Sequence, residues 1–136
     1  MNQNQYNKTE THWAFIAGLL EGRASISISA GRRLRVTLWL QRHVAAALRP
    51  WLKEIGRAGV VHSKGGYHWV HFSDREADKV LTRCHEYLVS PLRKAECALA
   101  FRFARTVRRR GERLLSEEIE ERRKVVAELS ALHKKP

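Results

Sequence analysis

Two periodicities divide the chain. Ser25 to Ser29 alternates polar and apolar residues at period two, a strand signal. Arg33 to Gln41 alternates again, with Leu34, Val36, Leu38 and Leu40 on one face and Arg33, Arg35, Thr37, Trp39 and Gln41 on the other. Ala30-Gly31-Arg32 is the turn between them, so the two strands predict a hairpin. A second hairpin is expected where Gly59 to His62 and Tyr67 to Phe72 flank Lys64-Gly65-Gly66. On the second strand of that hairpin Tyr67 and Trp69 share a face opposite His68, Val70 and Phe72, and either face can be the open one.

Between and after the hairpins the spacing turns helical. Thr11 is placed to N-cap a helix from His12 to about Glu21, ended by Gly22. Residues 1–11 read as a flexible leader. Ala47, Leu48, Trp51, Leu52 and Ile55 mark a helix over Val44 to Ile55, which Pro50 either kinks or delays. Ser73 is expected to cap a helix from Asp74 to about Tyr87, with Glu76 at the capping-box position. Pro91 opens a helix through Ala104, and Ser116-Glu117-Glu118 opens a last one to about Leu132. Ile119, Val126 and Leu129 are the residues expected to dock that last helix, within a C-terminal segment over 112–136. The order predicts an α+β fold, αββαββα, with helices on one face of an antiparallel sheet and the other face open.

Composition sharpens this picture. The 136 residues suit one domain with a proper core and are too few for two ordinary ones. Lys and Arg number 26 against 14 Asp and Glu, for a formal net charge of +12. Such an excess repels itself in a compact chain and points to a polyanionic partner, DNA or RNA. An anionic membrane is the other candidate for such a charge; no run is long and apolar enough to span a bilayer, and the expectation is nucleic acid with no membrane partner. Met1 to Thr11 lacks an apolar signal core, so the expectation is a cytoplasmic protein, or one of an organelle matrix, and not a secreted one. Cys84 and Cys97 read as buried thiols of a reducing compartment. The histidines show no metal-ligand spacing, so no metal site is expected.

Ile16-Ala17-Gly18-Leu19-Leu20-Glu21-Gly22-Arg23-Ala24 resembles the motif of the LAGLIDADG homing endonucleases, and Ser25-Ile26 continues it. Leu38 to Arg42, Leu52 to Gly59, Tyr87-Leu88 and Lys94-Ala95-Glu96 are similar to later segments of that family, so the resemblance extends over most of the chain. Small residues Ala14, Ala17 and Gly18 lie at helical spacing and leave one face nearly bare, which lets two helix backbones approach closely. The resemblance implies that this face pairs two subunits into a homodimer about a two-fold axis. The alternative is tight packing within one subunit.

The resemblance also implies a metal-binding acid at the penultimate motif position, because Mg²⁺ takes carboxylate oxygens and activates water for in-line attack. This chain has Arg23 there and Ala24 after it. Glu21 holds the earlier acidic position, which in the family caps or orients the turn, and is a catalytic candidate only if the protein is an active nuclease. The family's basic residue near the late helix falls near Pro91, with Arg93 or Lys94 as substitutes. An arginine beside a phosphate attracts it without metal. The expectation is therefore a cleavage-deficient nucleic-acid-binding protein with no cofactor, Mg²⁺ entering only if it cuts. Duplex DNA is the first partner expected and structured RNA, in a maturase or ribonucleoprotein role, the second. The candidate contact residues are Arg23, Arg33, Arg35, Trp39, Gln41, Arg42 and Lys64. Arginine suits guanine and glutamine adenine, and both also reach phosphate. Trp39 can stack on a base or pack on a partner subunit. Arg102, Arg105 and Arg108 to Arg110 are either a solvated helix face or a phosphate-binding segment.

Overall fold

The computed structural model describes the backbone of residues 3–29, 32–55, 62–108 and 112–134, and the side chains of 10–29, 32–51, 65–108 and 112–134. Helix α1 (Gln3–Gly22) leads into a hairpin of β1 (Ala24–Ser29) and β2 (Arg33–Gln41). Helix α2 (Arg42–Ile55) connects to a second hairpin, β3 (His62–Lys64) and β4 (Tyr67–Ser73). Helix α3 (Arg75–Cys84), a 3-10 turn over His85–Tyr87, α4 (Pro91–Ala104) and α5 (Ser116–Lys134) complete it. The strands pair antiparallel in the order β1-β2-β4-β3. The αββαββα order expected from the hydrophobic pattern is the observed one, from α1 to α3, followed by α4 and α5.

The core lies on one face of this sheet. Leu34, Val36, Leu38 and Leu40 of β2 and Val70 and Phe72 of β4 are all buried, as strict alternation requires. Trp13, Ile16, Ala17 and Leu20 of α1 pack on them at the i, i+3, i+4, i+7 spacing of an amphipathic helix. Ala77, Val80, Leu81 and Cys84 do the same for α3, and Cys97, Ala100 and Phe103 for α4. Helix α5 rests on α4 as an outer layer. Cys84 and Cys97 are free and buried, and burial pushes their thiols up to about 12 and about 11.

Several local expectations are corrected. Helix α1 runs back to Gln3, so residues from Gln3 belong to the helix and Thr11 sits inside it as no cap. Helix α2 begins at Arg42 and is assigned continuously past Pro50; its buried alanine is Ala45, while Ala47 is exposed. The α5 docking residues are Val125 and Leu129, with Ile119 about half exposed. β3 starts at His62, and the expected strand residues 59–61 lie outside the described residues, as do Ala30, Gly31, Arg109 and Arg110. The second hairpin turns on Gly65 and Gly66, with φ +57° and +85°, the paired positive values of a two-residue turn that suits the strand twist.

The corner into α3 is built differently from the capping box expected there. Ser73 ends β4 and Asp74 is the N-cap residue, without a side-chain cap bond to its own helix. Its carboxylate instead accepts from the Leu34 N–H at 3.1 Å, and its own N–H donates to the Leu34 carbonyl at 2.9 Å. These two bonds hold Asp74 at φ 50°, among the described residues the one non-glycine with positive φ.

Candidate nucleic-acid interface

The sheet face away from the core carries a continuous polar and aromatic surface. The register sets its rows across β1, β2 and β4: Ser29 by Arg33; then Ser27, Arg35 and Ser73; then Ser25, Thr37 and His71; then Trp39 by Trp69; then Gln41 by Tyr67. The open face of β4 is therefore the one bearing Tyr67 and Trp69, together with His71. Thr37 Oγ1 and His71 Nδ1 lie 2.8 Å apart and tie the middle of the face together. Arg33 is exposed and Arg35 half-buried. The Arg35 Nε is buried and finds no hydrogen-bond partner among the described residues. From Arg33 to Gln41 the face runs about 27 Å along β2.

Arg23 stands at one end of this face. Its N–H closes the last turn of α1 on the Leu19 carbonyl at 2.7 Å, and its carbonyl accepts from the Trp39 N–H at 2.9 Å. The backbone thus passes directly from motif helix to sheet, and the exposed Arg23 side chain projects beside Tyr67, its guanidinium carbon 5.8 Å from the ring centre. Hydrogen bonds from Arg23 and then Gln41 hold the Tyr67 phenol below its usual pKa. Exposed Arg42 begins α2 at the same end, where its N–H donates to the Gly66 carbonyl at 3.0 Å. The structure therefore brings Arg23, Gln41 and Arg42 together with Tyr67, separates them from Arg33 and Arg35 at the far end, and leaves Trp39 between. Lys64 lies in β3 opposite Tyr67, and its side chain is outside the described residues. Tyr67 and Trp69 belong to the face but not to the expected contact set. Their alternation pointed to a shared face, and only the pairing with β2 reveals which one.

Glu21 is engaged elsewhere. Its Oε1 accepts from the N–H groups of Val89 at 2.6 Å and Ser90 at 3.1 Å, just before α4. Burial pulls its carboxyl upward, but these bonds and the Arg93 charge outweigh that and leave it below the ordinary value. Arg93 is held in turn, donating to the Ala24 carbonyl at 2.6 Å and to Glu96 at 2.9 Å. Glu96 is buried, and its other oxygen lies 2.8 Å from His133 Nε2 near the end of α5. Arg93 is thus a strut behind the motif turn, while Lys94 is exposed. These residues do not fit the divalent metal that the fold family implies. The acid position is a cation, the neighbouring carboxylate caps backbone, and the described residues contain no group of three or more His, Cys, Asp or Glu able to hold a metal.

The small-residue face of α1 divides. Ala14 and Gly18 are exposed with Phe15 and Gly22, whereas Ala17 is fully buried in the core of this chain and is not on the exposed side with them. A Cβ built at Gly18 meets nothing within 4 Å, so packing inside the subunit does not require glycine there. Val89, 79% exposed beside Glu21, adds an apolar residue near the end of this face that the helical spacing could not reveal. In the basic segment later in the chain, Arg102 pairs with Glu121 and Glu128 and Arg108 with Glu118, while Arg105 is exposed and Arg109 and Arg110 lie outside the described residues; Arg122 of α5 bonds the Thr106 hydroxyl and carbonyl.

No protein-family model and no curated relative matches the sequence. Solved structures do match its fold. The homing endonuclease I-CvuI in complex with its target in the presence of calcium superposes at a TM-score of 0.69, with 14% identity over 93% of this chain and 85% of that one. I-CvuI with another target, in the presence of magnesium and with the DNA not cleaved, gives 0.57 and 14% over 87% and 96%. The homing endonuclease I-TnaI gives 0.60 and 12% over 90% and 93%. At these identities the likeness is one of backbone architecture, and in that sense the chain has the fold of the LAGLIDADG homing endonucleases.

Proposed function

We propose that the protein binds duplex DNA on the open sheet face, as a homodimer joined through the exposed side of α1, and holds it without divalent metal and without cutting it. The observation that carries this reading is Arg23, a cation at the family's metal-acid position, set beside Tyr67 and Gln41 at the end of a basic face. The net charge of +12, with Arg33 and Arg42 exposed at opposite ends of the face, supports the same reading. The I-CvuI structures hold target DNA, which brings duplex DNA forward as the first ligand to test.

A phosphate at Arg23 gains charge-assisted hydrogen bonds in place of the coordination that a metal gives phosphate oxygens in an active nuclease. With the chelator EDTA present, anisotropy of a labelled duplex should report unchanged affinity. Arg23→Ala should weaken it by about tenfold, the size of one hydrogen bond to a charged group. An affinity abolished by EDTA, or an Arg23→Ala protein that binds as well as wild type, would contradict the proposal.

A further inference from the structure

Most of the open face is what a solvated or groove-reading strand surface needs: serines, a threonine, arginines and a glutamine. Its centre is not. Trp39 and Trp69 stand directly opposite each other in the β2–β4 register, and in the next row Tyr67, 39% exposed, lies opposite Gln41. Directly opposed residues have their Cβ atoms about 5 Å apart, so the two tryptophans are neighbours on this face. Both tryptophans are half-buried, keeping part of their surface toward solvent on the side away from the core. The Arg23 guanidinium beside the Tyr67 ring adds a cation.

We infer that Trp39, Trp69 and Tyr67 form a stacking platform for unpaired nucleobases, so that the preferred ligand is a nucleic acid with unpaired bases at the centre of the site. This rests on the reading of the open face as the nucleic-acid interface and specifies the ligand it takes. The argument is one of accessible surface. In a duplex each base is covered above and below by its neighbours, and a protein in the groove meets only base edges. An aromatic ring gains its stacking energy from the base face, which is exposed only when the base has left the stack. The spacing agrees: successive rows on one face of a strand are about 7 Å apart, twice the roughly 3.4 Å rise of stacked bases. Bases seated on the tryptophan row and on Tyr67 are therefore separated from each other, as in an extended single strand. Four-stranded sheets with aromatics in this position bind single-stranded nucleic acid by this means. The arginines at both ends of β2 then hold the flanking phosphates.

Four labelled probes of one sequence test this: a DNA duplex, that duplex with a two-nucleotide bulge, and single strands of DNA and of RNA. The bulged duplex and at least one single strand should bind about tenfold or more tightly than the plain duplex and quench tryptophan fluorescence further. Trp39→Leu should remove both the preference and the extra quenching, with thermal unfolding confirming that the variant is folded; Tyr67→Ala, at a more exposed site, should reduce the preference if Trp39→Leu does not fold. Equal affinity for the DNA and RNA strands supports recognition of base faces alone, and a bias between them supports the platform while naming its source. A plain duplex bound as tightly as the other probes overturns the platform and leaves the proposed function standing. Failure of every probe to bind overturns the nucleic-acid interface itself.

Discussion

Glu21 and Arg23 stand two residues apart and face opposite duties. The Glu21 carboxylate satisfies two backbone N–H groups in front of α4, so Glu21→Gln should cost about 1 kcal/mol, the value of a helix-capping bond, in urea denaturation. The pH dependence has a definite sign. The folded carboxyl lies below its unfolded value, so its contribution is complete above the unfolded pKa of about 4.3 and is lost as pH falls through the lower folded value. The gap between wild type and Glu21→Gln should therefore narrow in acid. Arg93→Ala is expected to be harsher, because it leaves the buried Glu96 with His133 as its remaining side-chain partner; a loss of about 3 kcal/mol in the same assay is the expected result. Its place in the motif marked Glu21 as a capping residue, but not that the groups it caps are the N–H of Val89 and Ser90 before α4. The role of Asp74 was not legible, because Ser73 and Glu76 satisfy a local capping pattern, and only the strand pairing brings the Leu34 backbone within reach of its carboxylate.

Helix α1 has a buried side and an exposed side, and the small-residue spacing in the sequence does not separate them. Small residues at positions 14, 17 and 18 fit either a subunit contact or a tight interior. Burial depends on what the sheet places opposite each one, and it puts Ala17 inside and Ala14 and Gly18 outside. The two sides make opposite predictions. Gly18→Leu should leave monomer stability within about 0.5 kcal/mol, because its side chain enters open space, yet shift sedimentation equilibrium from dimer to monomer. Ala17→Leu should instead overpack the core and cost about 1–3 kcal/mol. Elsewhere β2, α4 and the second hairpin turn were legible because each carries a complete local signal: strict alternation, a Ser-Pro helix start, and paired glycines. Helix α5 was legible in extent but not in facing. Its dense charge obscures the narrow apolar stripe of Val125 and Leu129, and its glutamates take up Arg102 and Arg108, two of the arginines that suggested a phosphate site.

For the whole molecule, the open sheet carries Arg33 and Arg35 toward one end and Arg23 and Arg42 at the other, beside the motif turn. The sequence supplied the strand that faces outward, the basic excess and the altered motif position. It left out Tyr67 and Trp69 as surface residues, because choosing between the two sides of β4 requires the register with β2. Electrostatics over such a face makes affinity fall with salt, at a slope of about −0.9 per neutralised phosphate for duplex DNA. The account stands or falls on Arg23 taking the place of a metal. The most direct measurement follows one labelled duplex with wild-type protein in EDTA and again in Mg²⁺, reading anisotropy for binding and a denaturing gel for strand scission. Equal affinity in the two buffers with the DNA intact is the predicted result; strand scission that appears with Mg²⁺ and disappears with EDTA would contradict it.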